Sequence, residues 1–227
     1  MPVQFPQGVT VVGGGGGALG SAVVARLVAA GATVVIPARH PDRVRPQDGV
    51  TVVECDLDDA ESVARLRGVV EAIGPWRAAV TASGGYAGGK AHETDDIGID
   101  AMLRGNLLGP WRLARTAAQS MIAAGSGGRI VLVASKAAID VARGQAAYQV
   151  SKAAVLRLAQ VMAAELHSHG ITVNSVLPGT MDTTANRASM PKADRASWVT
   201  PGSVAAVIEW LLSDDAGIVT GAAIPAG

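Results

Sequence analysis

The feature that most constrains this chain is a run of five glycines between a β-branched segment and an apolar helical pattern near the N-terminus. Residues 9–12 read Val-Thr-Val-Val, which is typical of a buried strand. After the glycines, Leu19, Val23 and Leu27 recur every four residues, as on one face of a helix. A strand, a glycine turn and a helix N-terminus together place backbone N–H groups against a phosphate. A flexible glycine linker is the alternative, but linkers are not flanked by periodic apolar segments.

The glycine spacing fits more than one nucleotide-binding pattern. Gly14, Gly17 and Gly20 fit G-x-x-G-x-x-G, whereas Gly14, Ala18 and Gly20 fit G-x-x-x-A-x-G, and the strict G-x-G-x-x-G begins at Gly15. A glycine run satisfies many such patterns, so the prediction depends on the strand–turn–helix context. The residues expected to contact a dinucleotide here are Gly14, Gly17, Ala18, Leu19 and Gly20.

Composition favours one globular α/β domain over residues 1–227 and excludes several classes of partner. The formal net charge is zero, so no basic patch indicates nucleic acid binding. No apolar run reaches the ~18 residues that a membrane helix needs, so no membrane partner is expected. Cys55 is the single cysteine, which excludes an internal disulfide and fits a reducing compartment. With no signal pattern at the N-terminus, these features predict a cytoplasmic protein.

Predicted strands and helices alternate along the chain, which is typical of a parallel sheet covered by helices on both faces. Strands are predicted at 9–12, 33–36, 49–55, 78–82, 129–134, 171–177 and 222–224, and the later helices at 60–73, 97–124, 147–167 and 200–213. The fold expected is a Rossmann-type, doubly wound sheet. The segment 179–199 has no clear periodicity and would leave the carboxyl end of a strand, so we interpret it as a candidate substrate lid.

The residues after the second predicted strand indicate which nucleotide is bound. In this kind of fold an acidic residue there holds the ribose hydroxyls of NAD(H), and an arginine accommodates the 2′-phosphate of NADP(H). This sequence has no acid at that strand end but has Arg39 and Arg43. It therefore predicts NADP(H) in preference to NAD(H). Asp56 and Leu57, just past the third strand, are candidates to meet the adenine.

Tyr148 and Lys152 lie four residues apart at the start of a predicted helix, so they share a face. A nearby ammonium favours the phenolate and lowers the pKa of tyrosine, which allows proton exchange with a carbonyl or alcohol oxygen. Ser135, at the end of the fifth strand, is placed to donate to that oxygen. Asn106 lies within a long helix, where a polar side chain is costly unless it bonds something such as water or the Lys152 region.

These residues together resemble the short-chain dehydrogenase/reductase family over essentially the whole chain. The resemblance implies a seven-stranded sheet in the order 3-2-1-4-5-6-7. It implies that Tyr148 is the acid/base, that Lys152 lowers its pKa and holds the nicotinamide ribose, that Ser135 orients the substrate, and that Asn106 holds a relay water. It also implies a homodimer or homotetramer. Further cofactor contacts follow from the family pattern at Ser83, Gly84, Pro178, Gly179 and Thr183.

Two departures from the family pattern are present. The usual Asn-Asn-Ala-Gly after the fourth strand is Thr81-Ala-Ser-Gly84 here, and Gly13 replaces the threonine that opens the glycine motif. In loop motifs the sequence most resembles dihydropteridine reductases, at 14–20, 84–89 and the candidate lid. It differs from them in having Ser135 and in lacking an acid after the second strand.

The function expected is an NADP(H)-dependent oxidoreductase that moves hydride between nicotinamide and a C=O or C=N group of a small-molecule substrate. Tyr86 and Met181 are tentative substrate contacts, with Tyr86 placed to stack on a flat ring. A pterin reductase and a 3-oxoacyl-type reductase are both left open. A nucleotide-binding sensor without catalysis is the alternative from another class. No metal site is expected, because the four histidines show no ligand grouping.

Overall fold

The computed structural model describes residues 4–227. Its centre is a seven-stranded sheet in the order β3-β2-β1-β4-β5-β6-β7, in which every neighbouring pair is parallel. The strands are β1 Val9–Gly13, β2 Thr33–Ala38, β3 Val50–Glu54, β4 Trp76–Thr81, β5 Gly128–Val133, β6 Ile171–Pro178 and β7 Ala223–Ala226. The predicted Rossmann-type α/β fold and the strand order are confirmed.

Helices cover both faces of the sheet. They are α1 Ala18–Ala29, α2 Ala60–Ile73, α3 Asp96–Leu103, α4 Gly109–Ala124, α5 Ala146–Leu166, α6 Thr184–Ser189 and α7 Pro201–Leu212. Asp59 caps α2 and Thr200 caps α7 through side-chain oxygens that accept backbone N–H groups. Among residues 4–227, no helix is both long enough and apolar enough to cross a membrane.

Two apolar clusters hold these layers together, one on each face of the sheet. Leu113 of α4 and Val155 of α5 belong to the first cluster, and Val23 of α1 and Ile208 of α7 to the second; all four are fully buried. Strand residues alternate between them, since β5 sends Ile130 and Leu132 to the first and Val131 and Val133 to the second. Strands apolar on both sides are what a sheet buried on two faces requires.

The long helix predicted at 97–124 contains a π-helical turn at residues 104–108, between α3 and α4. Pro110 has no N–H and cannot donate to the carbonyl of Asn106, which is the bond that a regular α-helix would make there. A π turn is a usual response to such a defect and is frequent at functional sites. Asn106 lies in the turn and is fully buried.

The candidate lid, residues 179–199, is more regular than its sequence indicates. It contains the short helix α6, which Thr183 caps by accepting the N–H of Asn186 at 3.1 Å. Its two ends are joined where Val199 N–H donates to the Thr180 carbonyl and Asp182 N–H to the Val199 carbonyl. Arg187 also forms two bonds with Asp182, at 2.5 and 2.6 Å. The sequence of this segment shows no clear periodicity because α6 is capped locally and its six residues are too few to show a helical period.

Candidate active site

The glycine turn between β1 and α1 leaves no room for side chains at two of the predicted positions. Gly14 has φ +79°, and a Cβ there would lie 2.6 Å from the amide nitrogen of Ser83. A Cβ on Gly20 would overlap the Gly14 carbonyl oxygen. Gly17 is the N-cap of α1 and offers no side-chain cap, so the first N–H groups of the helix stay open. An open helix N-terminus beside bare backbone suits a pyrophosphate.

The other residues predicted to contact the dinucleotide in this turn, Ala18 and Leu19, differ in how far their side chains are buried. Ala18 is exposed at the first position of α1, whereas the side chain of Leu19 is buried in the second apolar cluster. Leu19 can therefore meet a ligand only through its backbone. Ser83 follows β4 next to Gly14, and its Oγ is buried without a hydrogen-bond partner among the described residues. An unpartnered hydroxyl beside the glycine cradle is an observation that fits a polar dinucleotide.

A cleft of about 560 Å³ opens at the carboxyl ends of β2 and β3. Its wall is formed by Arg39, His40, Glu54, Asp56, Ser62 and Arg65. Arg39 and Asp56 are therefore brought together as the sequence predicts, although Asp56 Oδ1 already accepts the N–H of Asp58 at 3.0 Å. Arg43 is exposed in a 3₁₀ turn and is not part of this wall.

Arg65 is a wall residue that the sequence reasoning missed. It lies on α2, one turn beyond Ser62, so the i, i+3 spacing places both on the face that meets Asp56. That spacing was readable from the sequence, but the approach of α2 to Arg39 depends on the tertiary fold. Leu57, the other predicted adenine contact, is partly buried against Gly13 and Gly109, and its carbonyl accepts from Arg112 at 3.1 Å.

Tyr148 and Ser135 meet at the carboxyl end of β5. Ser135 begins the 3₁₀ turn after that strand, and its Oγ accepts the N–H of Ala137 at 3.2 Å, which leaves its own proton available. Burial raises the pKa of the Tyr148 phenol, an interaction with Ser135 opposes that rise, and Tyr86 adds to it. The predicted lowering of the Tyr148 pKa by Lys152 is not found, because burial is the dominant effect and Lys152 is not among the groups that shift it.

Lys152 lies one turn further along α5 and is buried. Its Nζ donates to the Val133 carbonyl at 3.1 Å. Burial lowers the pKa of this ammonium to about 8, since a charge is costly away from water. A Cβ on Gly84 would lie 3.2 Å from the same Nζ, so the ammonium lies directly below the loop that follows β4.

Because the pKa of Lys152 is lowered in the folded protein, the free energy of unfolding should depend on pH. Between about pH 8 and the ordinary value of 10.5, the unfolded chain keeps a proton that the folded chain has lost. The free energy of unfolding therefore rises with pH in this window, by up to about 1.4 kcal/mol per unit. Urea unfolding of the unchanged protein and of Lys152→Met, from pH 7 to 10, should show the unchanged protein gaining stability relative to the variant. A constant difference would mean that Lys152 titrates as an exposed lysine does.

Asn106 is satisfied entirely by protein groups through its side chain. Its Oδ1 accepts the Gly85 N–H at 2.7 Å, and its Nδ2 donates to the Gly85 carbonyl at 3.1 Å and to Ser151 Oγ at 2.9 Å. The sequence predicts that this side chain has a hydrogen-bond partner, because a polar group inside a helix is otherwise costly. It bonds the loop after β4 and Ser151 of α5, and both protons of its amide group are used.

The remaining predicted residues surround the same end of the sheet. Tyr86 is 66% exposed and packs edge-to-face on Tyr148, with ring centroids 5.1 Å apart. Met181 is partly buried in the second apolar cluster. Pro178 is buried at the end of β6, and Gly179 N–H donates to the Ala226 carbonyl at 3.0 Å. Thr81, which replaces an asparagine of the family pattern, is buried, and its Oγ1 has no hydrogen-bond partner among the described residues. Within residues 4–227, no group of three or more possible ligand side chains is arranged to hold a metal ion.

Comparison with known proteins decides the family. The model of the short chain dehydrogenase family matches residues 8–194. The chain belongs to the short-chain dehydrogenase family. It is thereby an oxidoreductase of CH–OH or C=O groups that uses a nicotinamide dinucleotide, and the glycine cradle, the open helix N-terminus and the unpartnered Ser83 hydroxyl fit such a cofactor.

This short-chain dehydrogenase is similar over nearly its whole length to two relatives by sequence and to one solved structure. It is 32% identical to the 3-oxoacyl-[acyl-carrier-protein] reductase MabA of Mycobacterium tuberculosis, over 99% of this chain and 92% of the relative. It is 29% identical to a (3R)-3-hydroxyacyl-CoA dehydrogenase of Canis lupus familiaris, over 98% and 96%. A solved short-chain type dehydrogenase/reductase of Mycobacterium ulcerans superposes with a TM-score of 0.91 at 30% identity, covering 98% of this chain and 89% of that one. The resemblance of the loops to dihydropteridine reductases stays a prediction.

Proposed function

We propose that this short-chain dehydrogenase uses NADPH to reduce the ketone of a 3-oxoacyl thioester. The observation that carries the proposal is the cluster of Tyr148, Ser135 and Lys152 at the carboxyl end of β5, next to the loop that follows β4. The bound nicotinamide supplies hydride chemistry at a carbonyl carbon. The protein binds the dinucleotide, orients the carbonyl and supplies the proton.

The protonated phenol of Tyr148 suits the reductive direction of the proton step. A phenol whose pKa lies above its usual value keeps its proton near neutral pH, so it acts as a donor to the oxygen of a carbonyl that is being reduced. Ser135 supports this role because its hydroxyl lies beside the Tyr148 phenol, and its Oγ accepts from the backbone, so its proton can be donated to the same carbonyl oxygen. Lys152, whose pKa burial lowers to about 8, lies one turn further along α5 and would hold the ribose of a bound nicotinamide nucleotide.

The thioester class is supported by the relatives and not by a residue of this chain alone. MabA is a 3-oxoacyl-[acyl-carrier-protein] reductase and the canine relative a (3R)-3-hydroxyacyl-CoA dehydrogenase, and both are matched over nearly their whole length. The test is oxidation of NADPH, followed by absorbance, with acetoacetyl-CoA, a quinonoid dihydropteridine and a simple quinone. Preference for the thioester supports the proposal. Turnover of the dihydropteridine alone would reject the thioester proposal in favour of a pterin reductase. Tight NADPH binding with no turnover of any substrate would favour a nucleotide-binding sensor.

A pterin substrate is the second candidate, and one observation favours it. Tyr86 presents most of its ring to solvent beside Tyr148, as a surface on which a flat ring could stack. The loop motifs shared with dihydropteridine reductases include this residue. The assay above separates the two substrates directly.

The preference for NADPH is supported by Arg39, which follows β2 directly and lines the cleft together with Arg65. The carboxylates in the same wall, Glu54 and Asp56, come from the end of β3 and the residues after it. Arg39→Glu should raise the KM for NADPH by roughly 10- to 100-fold, the equivalent of one lost charge-assisted bond, and leave the KM for NADH less affected. Arg43→Glu makes the same change in charge outside the cleft wall, so its effect on the NADPH KM should be much smaller. Equal effects of the two variants would assign the preference to overall charge.

We also propose that the chain forms a homodimer or homotetramer through α4 and α5. Trp111, Ile122 and Val161 expose large parts of their side chains there, and they border a cavity of about 310 Å³. An apolar groove of this kind between two helices is suited to burial against a second copy. Light scattering that gives a monomer at working concentration would reject this proposal. The cytoplasmic location and the role of 179–199 as a lid remain predictions.

A further inference from the structure

The loop that follows β4 is fastened at both of its ends, to the π turn at Asn106 and to the start of α5. At one end, Gly85 exchanges two hydrogen bonds with the Asn106 amide. At the other, Gly89 N–H donates to the Gly144 carbonyl at 2.8 Å, and the Gly89 carbonyl accepts from Ala146 at 3.0 Å, in the first turn of α5. Tyr86 lies between these anchors. The loop is rich in glycine, so its geometry depends on the anchors more than on its own backbone.

Ser151 connects the first anchor to α5. Its side chain is fully buried, its Oγ accepts from Asn106 Nδ2 at 2.9 Å, and its own proton goes to the Tyr148 carbonyl at 2.7 Å. A serine in a helix often bonds the carbonyl three residues before it, so that bond alone would have only local meaning. The second bond, to a residue 45 positions away, links three segments: the loop, the π turn and α5.

The linked segments are those that carry the groups of the proposed active site. Tyr148 and Lys152 lie on either side of Ser151 in α5. The loop holds Tyr86 against the Tyr148 ring, and a Cβ on Gly84 would lie 2.6 Å from Asn106 Oδ1. Movement of the loop would therefore displace the Asn106 amide. Through Ser151, it would also displace the turn of α5 that carries Tyr148.

We propose that Ser151 is a positioning residue, which acts through Asn106 to hold the Tyr86 loop and the Tyr148–Lys152 turn in one arrangement. This inference rests on the proposed function for its kinetic consequence, but its structural consequence does not. Removal of the hydroxyl leaves a buried amide proton without its acceptor and frees the Tyr148 carbonyl from its donor. Both segments lose a constraint, although no group that touches the substrate is changed.

Hydrogen exchange tests the link without any assay of activity. In Ser151→Ala, the amides of residues 84–89 and 144–148 should exchange faster by about fivefold, which corresponds to the loss of one hydrogen bond. Ser151→Thr keeps the hydroxyl and should restore most of the protection. Ser175→Ala is the matched control, because Ser175 is also fully buried and donates to a backbone carbonyl, that of Leu132 in the sheet. Unchanged exchange at 84–89 in Ser151→Ala would overturn the inference.

Kinetics then separate positioning from simple loss of stability. The kcat of Ser151→Ala should fall about tenfold while the KM for NADPH stays close to its starting value. Because Asn106 and Ser151 act through one bond, the double alanine variant should lose less than the product of the two single losses. Independent, multiplicative losses would contradict the proposal. If the unchanged protein reduces no substrate, the proposed function fails, and the exchange experiment still decides this inference.

Discussion

Replacement of Tyr148 by phenylalanine is expected to lower kcat by about 10²- to 10⁴-fold, the usual contribution of a positioned proton donor. Phenylalanine keeps the ring, so the edge-to-face contact with Tyr86 is retained. Only the hydroxyl beside Ser135 is removed. The measurement is steady-state turnover with NADPH and the best substrate of the panel.

Two further measurements make this result specific to the proton step. NADPH affinity, followed by fluorescence, and the free energy of unfolding should both stay close to those of the unchanged protein, since the phenol bonds neither the glycine turn nor a structural partner. A variant that binds NADPH and still turns over at the original rate would remove Tyr148 from the mechanism. A variant that unfolds would be uninformative about chemistry, so stability is measured first.

Replacement of Gly20 by alanine is expected to be the most disruptive change in the cofactor turn. A Cβ at this position would overlap the Gly14 carbonyl oxygen and lie 2.6 Å from its carbonyl carbon, and backbone atoms cannot move aside as a flexible side chain can. Overpacking of this kind costs about 1–3 kcal/mol or more, and the turn that receives the pyrophosphate has to shift to relieve it. Both the free energy of unfolding and the NADPH affinity should fall.

Gly16→Ala provides the matched control for stability within the same turn. A Cβ on Gly16 would meet only Val44 Cγ2, at 3.5 Å, which is an ordinary contact, and the residue is exposed. Its unfolding free energy should change by no more than about 0.5 kcal/mol. If the two variants are equally stable, the close approach of α1 to β1 at Gly20 is not what makes glycine necessary there.

Much of the fold could be predicted from local sequence patterns. Strands buried on both faces appear as short continuous apolar runs, and amphipathic helices appear as apolar residues every three or four positions. The runs at 9–12 and 129–134 and the helix around Tyr148 and Lys152 were predicted within a few residues. The π turn was missed, although Pro110 removes the donor that a regular helix needs at Asn106. The short helix α6 was missed since six residues are too few to show a helical period.

The candidate site shows where reasoning from sequence ends. Residue types and spacing were enough to name Tyr148 and Ser135, but the dominant effect on the phenol is burial, which only packing decides. Arg65 enters the cleft wall because α2 folds back toward Arg39, and Arg43 stays outside it because the 3₁₀ turn carries it away. Ser151 gave no signal of its own, since its partner Asn106 is 45 residues distant.

The central claim is that the partly buried phenol of Tyr148 faces the reactive ring of a dinucleotide held on the N-terminal glycines. The most direct test is a crystal structure of the protein with NADPH bound. The account predicts the pyrophosphate at the N-terminus of α1, the 2′-phosphate at Arg39, and the nicotinamide beside the hydroxyl of Tyr148. A dinucleotide bound elsewhere, or a nicotinamide out of reach of that hydroxyl, would contradict it.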